Sequence, residues 1–319
     1  MNRLPRTILA ALALATLAPL AAAQGTTKPI RIVVPFPAGG PSDTAARSVA
    51  QAWASTSGQS VVVENRPGAG GAIAAQAVIT AAPDGQTLLW AAASMAALPS
   101  LQRTPPFRSL LDLAPLAMAG RFTYVLAVHA SVPARSVADL VQHARANPGK
   151  VEYATGTLGE YMTTVQFLKA AKVDMLRVPY KGGAQAMPDL VAGRVQVFFT
   201  PIQLALPHAK DGKLRILGTV LPQRAALAPD TPTLAEAGYP NVLTPTWQAL
   251  FAPPRTPREV QAKLAGEILA ALRDPDLRAR FAQQALAVDA LGPEALAKVV
   301  ADDTTTWKAF IEEYAIPLE

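Results

Sequence analysis

Hydrophobic positions fall into short apolar runs separated by longer amphipathic segments, the signature of an α/β fold with mostly parallel strands. Ile30 to Val34 reads as a buried strand, and the loop from Pro35 to Pro41 opens a helix that sets Ala46, Val49, Ala50 and Trp53 on one face before Gly58 closes it. Val61 to Glu64 is the next strand, Ala72 to Ala81 a helix, Pro83-Asp84-Gly85 a turn and Thr87 to Ala91 a third strand. A second series starts near Tyr124 to His129. Ser136 and Asp139 predict a capping box for the helix that ends before Pro148 and Gly149. Strands at Val151 to Thr155, Met175 to Val178, Val195 to Phe199 and Ile216 to Val220 then alternate with helices from about Tyr161, Gly183 and Gln203. The tail returns to helix. Thr256, Pro257 and Glu259 supply cap, N1 proline and N3 acid for a helix to about Arg273; Asp274-Pro275 starts another, and a last one runs from about Pro293 to Tyr314.

The first sheet is short of helical cover, so the C-terminal helices are expected to pack back onto it. The chain then crosses between two domains twice, near Tyr124 and near Trp247. Residues 24–124 with 247–319 make one discontinuous α/β domain and 125–246 the other, with a cleft between them.

Arg3 and Arg6, an apolar run from Ile8 to Leu20 and the small residues Ala21 to Ala23 form a signal peptide over residues 1–23. The apolar run is shorter than the ~20 residues a membrane span needs. An anchored lipoprotein would require a cysteine at the cleavage point, and the chain has none. A soluble periplasmic protein is expected. The missing cysteines also exclude disulfides, thiol catalysis and thiolate metal sites. Roughly 295 mature residues favour two domains.

Loss of Arg3 and Arg6 lowers the formal charge from +6 to +4. The remaining basic residues are scattered singly, as at Lys28, Arg103 and Arg215, so no run grips a phosphate backbone, and nucleic acid is not an expected partner. His129, His143 and His208 lie in separate segments without a serine elbow or metal-ligand spacing, so no catalytic residue, metal or cofactor is assigned.

Ligands of open α/β sheets bind beyond the carboxyl ends of the strands. The loop Pro35-Phe36-Pro37-Ala38-Gly39-Gly40-Pro41-Ser42-Asp43 ends at a helix start, and its glycines free the backbone to form an anion-binding nest, or simply a tight turn capped by Ser42 or Asp43. The loop Asn65 to Gly71 fails the dinucleotide spacing, because Ile73 stands where glycine or alanine is required. In the second series, Thr155-Gly156-Thr157-Leu158-Gly159-Glu160 and Pro179-Tyr180-Lys181-Gly182-Gly183 each leave a strand and enter a helix. They can present donors from the opposite side. Tyr180 reads equally as core packing, and Glu160 equally as a first-turn helix acid.

Phe36-Pro37-Ala38-Gly39-Gly40 with Asp43, Glu64-Asn65-Arg66-Pro67-Gly68-Ala69-Gly70-Gly71, Pro83-Asp84-Gly85, Val178-Pro179-Tyr180-Lys181-Gly182, Pro232-Thr233-Leu234-Ala235-Glu236 and Leu250-Phe251-Ala252-Pro253 together resemble the Bug family. These are extracytoplasmic solute receptors of tripartite tricarboxylate transporters, and the similarity covers the whole mature chain. The resemblance implies a type II periplasmic-binding-protein-like Venus flytrap that pinches a small carboxylate between two α/β domains and performs no chemistry on it. By motif, Phe36, Pro37, Ala38, Gly39, Gly40, Asp43 and Ser94 would serve the ligand from the first domain, with Asp43 organising the loop or its waters. Thr155, Gly156, Thr157, Tyr180, Gly183 and Thr200 would serve it from the second. The implied partners are the membrane subunits of such a transporter, or alternatively a sensor kinase, with a monomer as the default state.

The second-domain loop departs from the family pattern of serine-glycine-x-glycine-serine followed by histidine. It is one residue shorter, Glu160 takes the polar position, and Met162 or Thr163 falls at the histidine. Leu98 replaces a frequent asparagine and Thr200 a frequent aspartate. An added acid and a lost aspartate would move a cation's partner from one loop to the other, as an amino-acid ligand would need.

Overall fold

The computed structural model describes residues 28–105, 107–220, 224–225, 227–314 and 316, so the segment read as a signal peptide lies outside them. In chain order the first elements are β1 (Ile30–Val34), α1 (Pro41–Ser57), β2 (Val61–Asn65), α2 (Ala72–Ile79), β3 (Thr87–Ala92) and β4 (Ala114–Phe122). There follow β5 (Tyr124–His129), α3 (Val137–Ala146), β6 (Glu152–Thr155), α4 (Leu158–Ala171), β7 (Leu176–Pro179), α5 (Gly183–Val191), β8 (Val197–Pro201), α6 (Ile202–Lys210) and β9 (Leu214–Thr219). The last are β10 (Trp247–Ala252), α7 (Arg258–Ala271), α8 (Pro275–Gln283), β11 (Leu286–Leu291) and α9 (Pro293–Glu313).

Strands from both ends of the chain form a six-stranded sheet in the order β11-β4-β10-β3-β1-β2, and the middle of the chain forms a five-stranded sheet, β7-β6-β8-β5-β9. Both sheets are mixed, which corrects the expectation of mostly parallel strands. The pairs β1–β2, β1–β3, β6–β7 and β6–β8 are parallel, but β10 lies antiparallel between β3 and β4, β11 is antiparallel to β4, and β5 is antiparallel to β8 and β9. Strands β4, β10 and β11 were unforeseen, the last interrupting a tail expected to be all helix, and β4 and β10 carry alanine, proline, glycine and glutamine rather than β-branched residues. Their strand character comes from burial between neighbours, not from local propensity.

Tryptophans pin the helices to the first sheet. Trp53, Trp90, Trp247 and Trp307 are fully buried. Trp307 of α9 donates its indole N–H to the Ala93 carbonyl at 3.1 Å, and Trp53 of α1 donates to Glu267 of α7 at 3.0 Å. Trp247 donates to Asp303 at 2.6 Å and so ties the first residue of β10 to α9. Each satisfied indole removes the penalty that a buried, unpaired donor would carry.

The sheets are joined where β4 passes into β5 and where the chain returns into β10. The two crossings run side by side, the Phe122 amide donating to the Thr246 carbonyl at 3.1 Å. The Ile202 amide donates to the Thr123 carbonyl at 2.8 Å, which ties the same crossing to the start of α6.

Helix starts follow local capping chemistry. The Ser136–Asp139 box forms, and Asp274 accepts from the Leu277 amide at 2.8 Å to cap α8. Two starts differ from the expectation. Helix α4 begins at Leu158, three residues early, because Thr157 and Glu160 make a reciprocal capping box. Helix α7 begins at Arg258, because Pro257 keeps an extended ψ of 141° and the Thr256 hydroxyl bonds the Pro253 carbonyl instead of capping.

Candidate ligand-binding site

The loop after β1 is held from within. Gly39 takes φ +78°, a left-handed conformation that glycine adopts without strain, and its amide donates to Asp43 Oδ2 at 2.9 Å. Asp43, 3 % exposed, also accepts from Arg47 at 3.0 Å and from Asn65 Nδ2 at 2.9 Å, while Asn65 reaches the Phe36 carbonyl at 3.0 Å. Burial opposes its charge, but Arg47, the Gly39 amide and Asn65 together hold the carboxyl below the ordinary aspartate value. Asp43→Ala would leave the part-buried Gly39 and Asn65 amides and the Arg47 guanidinium without this acceptor. The expected loss is about 2 kcal/mol, read as a lower urea midpoint at constant slope.

This loop forms one wall of a small cavity of about 50 Å³ lying between the two sheets. From the six-stranded side it is lined by Phe36, Pro37, Gly40, Pro41, Ser42, Ser94, Phe122 and Gln248; from the other by Tyr124, Thr157, Glu160, Gly182, Gly183, Ala184, Pro201 and Leu204. The two sides touch, since a Cβ on Gly182 would stand 3.2 Å from Pro37 and one on Gly159 3.9 Å from Ser94 Cβ. Three helix starts converge here: α1 at Gly40 to Ser42, α4 at Thr157 and α5 at Gly182 to Ala184. Helix N-termini present unpaired N–H groups and the positive end of the peptide dipoles. Among the described residues lining this cavity there is no Lys, Arg or His.

Polar side chains are fixed around it. Gln248 of β10, 4 % exposed, accepts through Oε1 from both Ser42 at 2.9 Å and Trp90 at 2.8 Å. That assignment leaves its NH₂ group as the donor available to a ligand. Glu160, 1 % exposed, accepts through Oε2 from the Gly156 amide at 2.7 Å and the Thr157 amide at 2.8 Å. Burial pushes its carboxyl up to about 8 against the pull of those donors. Burial and then the nearby Glu160 carboxyl also raise the Tyr124 hydroxyl well above its ordinary value.

A larger chamber of about 620 Å³ adjoins the cavity and shares Phe36, Pro37, Ser94 and Thr157 with it. Thr155, Gly156 and Tyr180 line only this outer chamber, together with Arg177, Lys181 and the glycine loop Gly68 to Gly71. Arg177 donates to Thr155 Oγ1 at 3.0 Å and stacks 3.8 Å above the Tyr161 ring. Tyr180 does both: its ring packs at the edge of the second lobe's core while its hydroxyl donates to Asp189 at 2.7 Å.

Of the residues expected from the sequence, Phe36, Pro37, Gly40, Ser94, Thr157 and Gly183 line the inner cavity. Ala38, Gly39, Asp43 and Thr200 line neither space. Asp43 and Gly39 act by holding the loop, and Thr200 is wholly buried with its hydroxyl unpartnered among the described residues. The sequence reading missed Gln248, Ser42 and Tyr124. For Glu160 it left a first-turn helix acid and a ligand contact equally open, although the T-x-x-E spacing from Thr157 signals the capping box that forms.

Two α/β lobes enclose a largely apolar cavity with a few fixed polar groups and, among its described lining residues, no basic side chain, the arrangement of a solute-binding protein. The chain matches the model of the tripartite tricarboxylate transporter family receptor over residues 45–316, and it belongs to that family of periplasmic solute-binding receptors. It is 33 % identical to the protein BugT of Bordetella pertussis over 306 residues, covering 95 % of this chain and 94 % of BugT. Its fold matches a protein of R. palustris solved with adipate, at TM-score 0.87 and 29 % identity over 92 % of this chain and 99 % of that one. It also matches MatC from Rhodopseudomonas palustris with bound malate, at TM-score 0.82 and 30 % identity over 89 % and 99 %. Among the described residues no helix is long and apolar enough to cross a membrane.

Proposed function

We propose that the protein captures a small organic carboxylate in the inner cavity and delivers it to the membrane subunits of a tripartite tricarboxylate-type transporter. The observation that carries this reading is the convergence of three helix N-termini on one cavity whose described lining has no basic side chain. Such a site attracts an anion through backbone N–H groups and dipoles, and fixed donors such as the Gln248 amide orient it. The malate and adipate bound by the two similar proteins are carboxylates, which supports the same class here.

In this reading residues 24–124 with 247–319 form one lobe and 125–246 the other, released as a monomer after removal of residues 1–23. Ligand entry favours the form in which both lobes contact one carboxylate, and the paired crossings at Phe122 to Tyr124 and Thr246 to Trp247 act as the hinge. The head of the ligand fills the inner cavity and the remainder extends into the outer chamber past Phe36 and Thr157. Phe36, Pro37, Gly40, Ser94, Thr157 and Gly183 contact the head, while Thr155, Gly156 and Tyr180 shape the exit.

Thermal unfolding of the mature protein, stripped of bound solute by unfolding and refolding, tests this against malate, adipate, glutamate and aromatic monocarboxylates. A ligand at one hundred times its dissociation constant adds ~2.7 kcal/mol and should raise the midpoint by several degrees. A folded protein whose midpoint moves with none of these acids would overturn the reading.

A further inference from the structure

Glu160 is the strongest acid candidate in the inner cavity, and its two oxygens are not equivalent. Oε2 accepts from two backbone amides, at 2.7 and 2.8 Å, and so cannot also carry a proton directed elsewhere. Oε1 packs against the cavity wall, where a Cβ on Gly183 would come within 2.5 Å of it. A carboxylate ligand entering this space meets Glu160 at close quarters. Two anions sharing a small volume lined mostly by apolar groups repel, so one of them must be neutral or a cation must accompany them.

The surroundings offer no such cation. Of the described residues that line the cavity, from the β1–α1 loop, the turn after β3, β5, the start of α4, the start of α5 and α6, the one other titratable side chain is Tyr124. Arg177 and Lys181 face the outer chamber instead.

Resting on the reading of this cavity as a carboxylate site, we propose that Glu160 serves the ligand as a neutral acid, its Oε1–H donating to the bound carboxylate, so that ligand binding is linked to a proton. The proton stays on Oε1 and no bond is exchanged. The direction in which burial moves this carboxyl, up to about 8, supports the assignment. The residue is thereby specificity-determining, because it accepts an anionic head and gives no anchor to an ammonium group.

Calorimetric titration of the stripped protein with malate, adipate and glutamate, from about pH 6 to about pH 10, tests this while the ligand carboxyls stay ionised throughout. The dissociation constant should be flat below about 8 and then weaken close to tenfold per pH unit, with nearly one proton taken up per ligand near pH 9, read from two buffers of different ionisation enthalpy. Glu160→Gln should abolish that slope and Tyr124→Phe should keep it. A flat wild-type profile with no proton uptake would overturn the proposal, and this readout needs no variant to fold. Affinity that instead strengthens with pH, for glutamate alone, would overturn it in favour of an ionised Glu160 paired with the ligand's ammonium. Binding of none of the three acids at any pH would sink the carboxylate reading and this proposal with it, whereas binding without proton linkage sinks only the proposal.

Discussion

Gly156→Ala should abolish ligand binding and lower stability by about 3 kcal/mol, the upper end of what overpacking costs. The backbone at Gly156 has ordinary φ, so conformational freedom is not the issue. A Cβ there would stand 2.5 Å from the Gly182 carbonyl oxygen, and closer still to the Gly182 carbonyl carbon and the Gly183 nitrogen. These are backbone atoms of the adjoining loop, and no rotamer change relieves the contact. The loops after β6 and β7 must separate, and that displaces two things at once: the Gly182–Gly183 wall of the inner cavity and the Gly156 amide that holds Glu160. Gly266→Ala is the control. It lies exposed in α7 with nothing within 4 Å of the added methyl, and it should stabilise by about 0.5–1 kcal/mol. Urea midpoints and the ligand-induced thermal shift measure both; a Gly156→Ala protein that binds malate or adipate as well as the parent would show that the loops have slack.

The elements that were legible in the sequence are those whose signal is local. β1, β2 and β3 show as short apolar runs between turn residues, and α3 and α8 announce their starts through Ser136–Asp139 and Asp274-Pro275. Strands β4 and β10 carry no such signal. Ala-Pro-Leu-Ala-Met-Ala-Gly resembles loop or helix until other strands cover it on both sides, which is tertiary context overriding propensity. Missing them hid the antiparallel half of the six-stranded sheet, whereas in the five-stranded sheet every strand was legible and only the antiparallel direction of β5 was not.

The same distinction divides the site. The glycine loops after β1, β6 and β7 stand out because glycine and proline mark special backbone, and the resemblance to a known receptor family supplied their meaning. Gln248 was invisible. Its role depends on Ser42, 206 residues away in sequence, and on Trp90, 158 away, both donating to one oxygen. Asp43 was legible as an organiser of its loop, but Asn65, which joins the loop after β2 to that network, was read only as part of a motif. Thr200 was carried over from the family pattern to a place that the fold has buried away from both cavities.

The position of Glu160 also has a cost in stability that can be measured without any ligand. Its carboxyl rises from 4.5 to about 8 on folding, so between those values the folded chain binds a proton that the unfolded chain does not. Stability conferred by this group is therefore complete below about 4.5 and is lost progressively as pH rises through the folded value, on the order of 4 kcal/mol across the interval. Glutamine at this position stays neutral in both states and can still accept from the Gly156 and Thr157 amides through its carbonyl oxygen, as glutamine does in other capping boxes. Glu160→Gln should thus match the parent near pH 4, exceed it by roughly 3 kcal/mol at pH 7, and exceed it by slightly more above pH 8. Midpoints of thermal unfolding across that range, higher by roughly 5 to 10 °C at neutral pH, would measure the gain. An acid retained where an amide is more stable points to a function for its proton, since binding sites are where chains tolerate such costs. Equal midpoints for the two proteins at pH 8 would mean that Glu160 reaches water or a cation in solution and is ionised there, and its place as a neutral donor in the cavity would fail with that result.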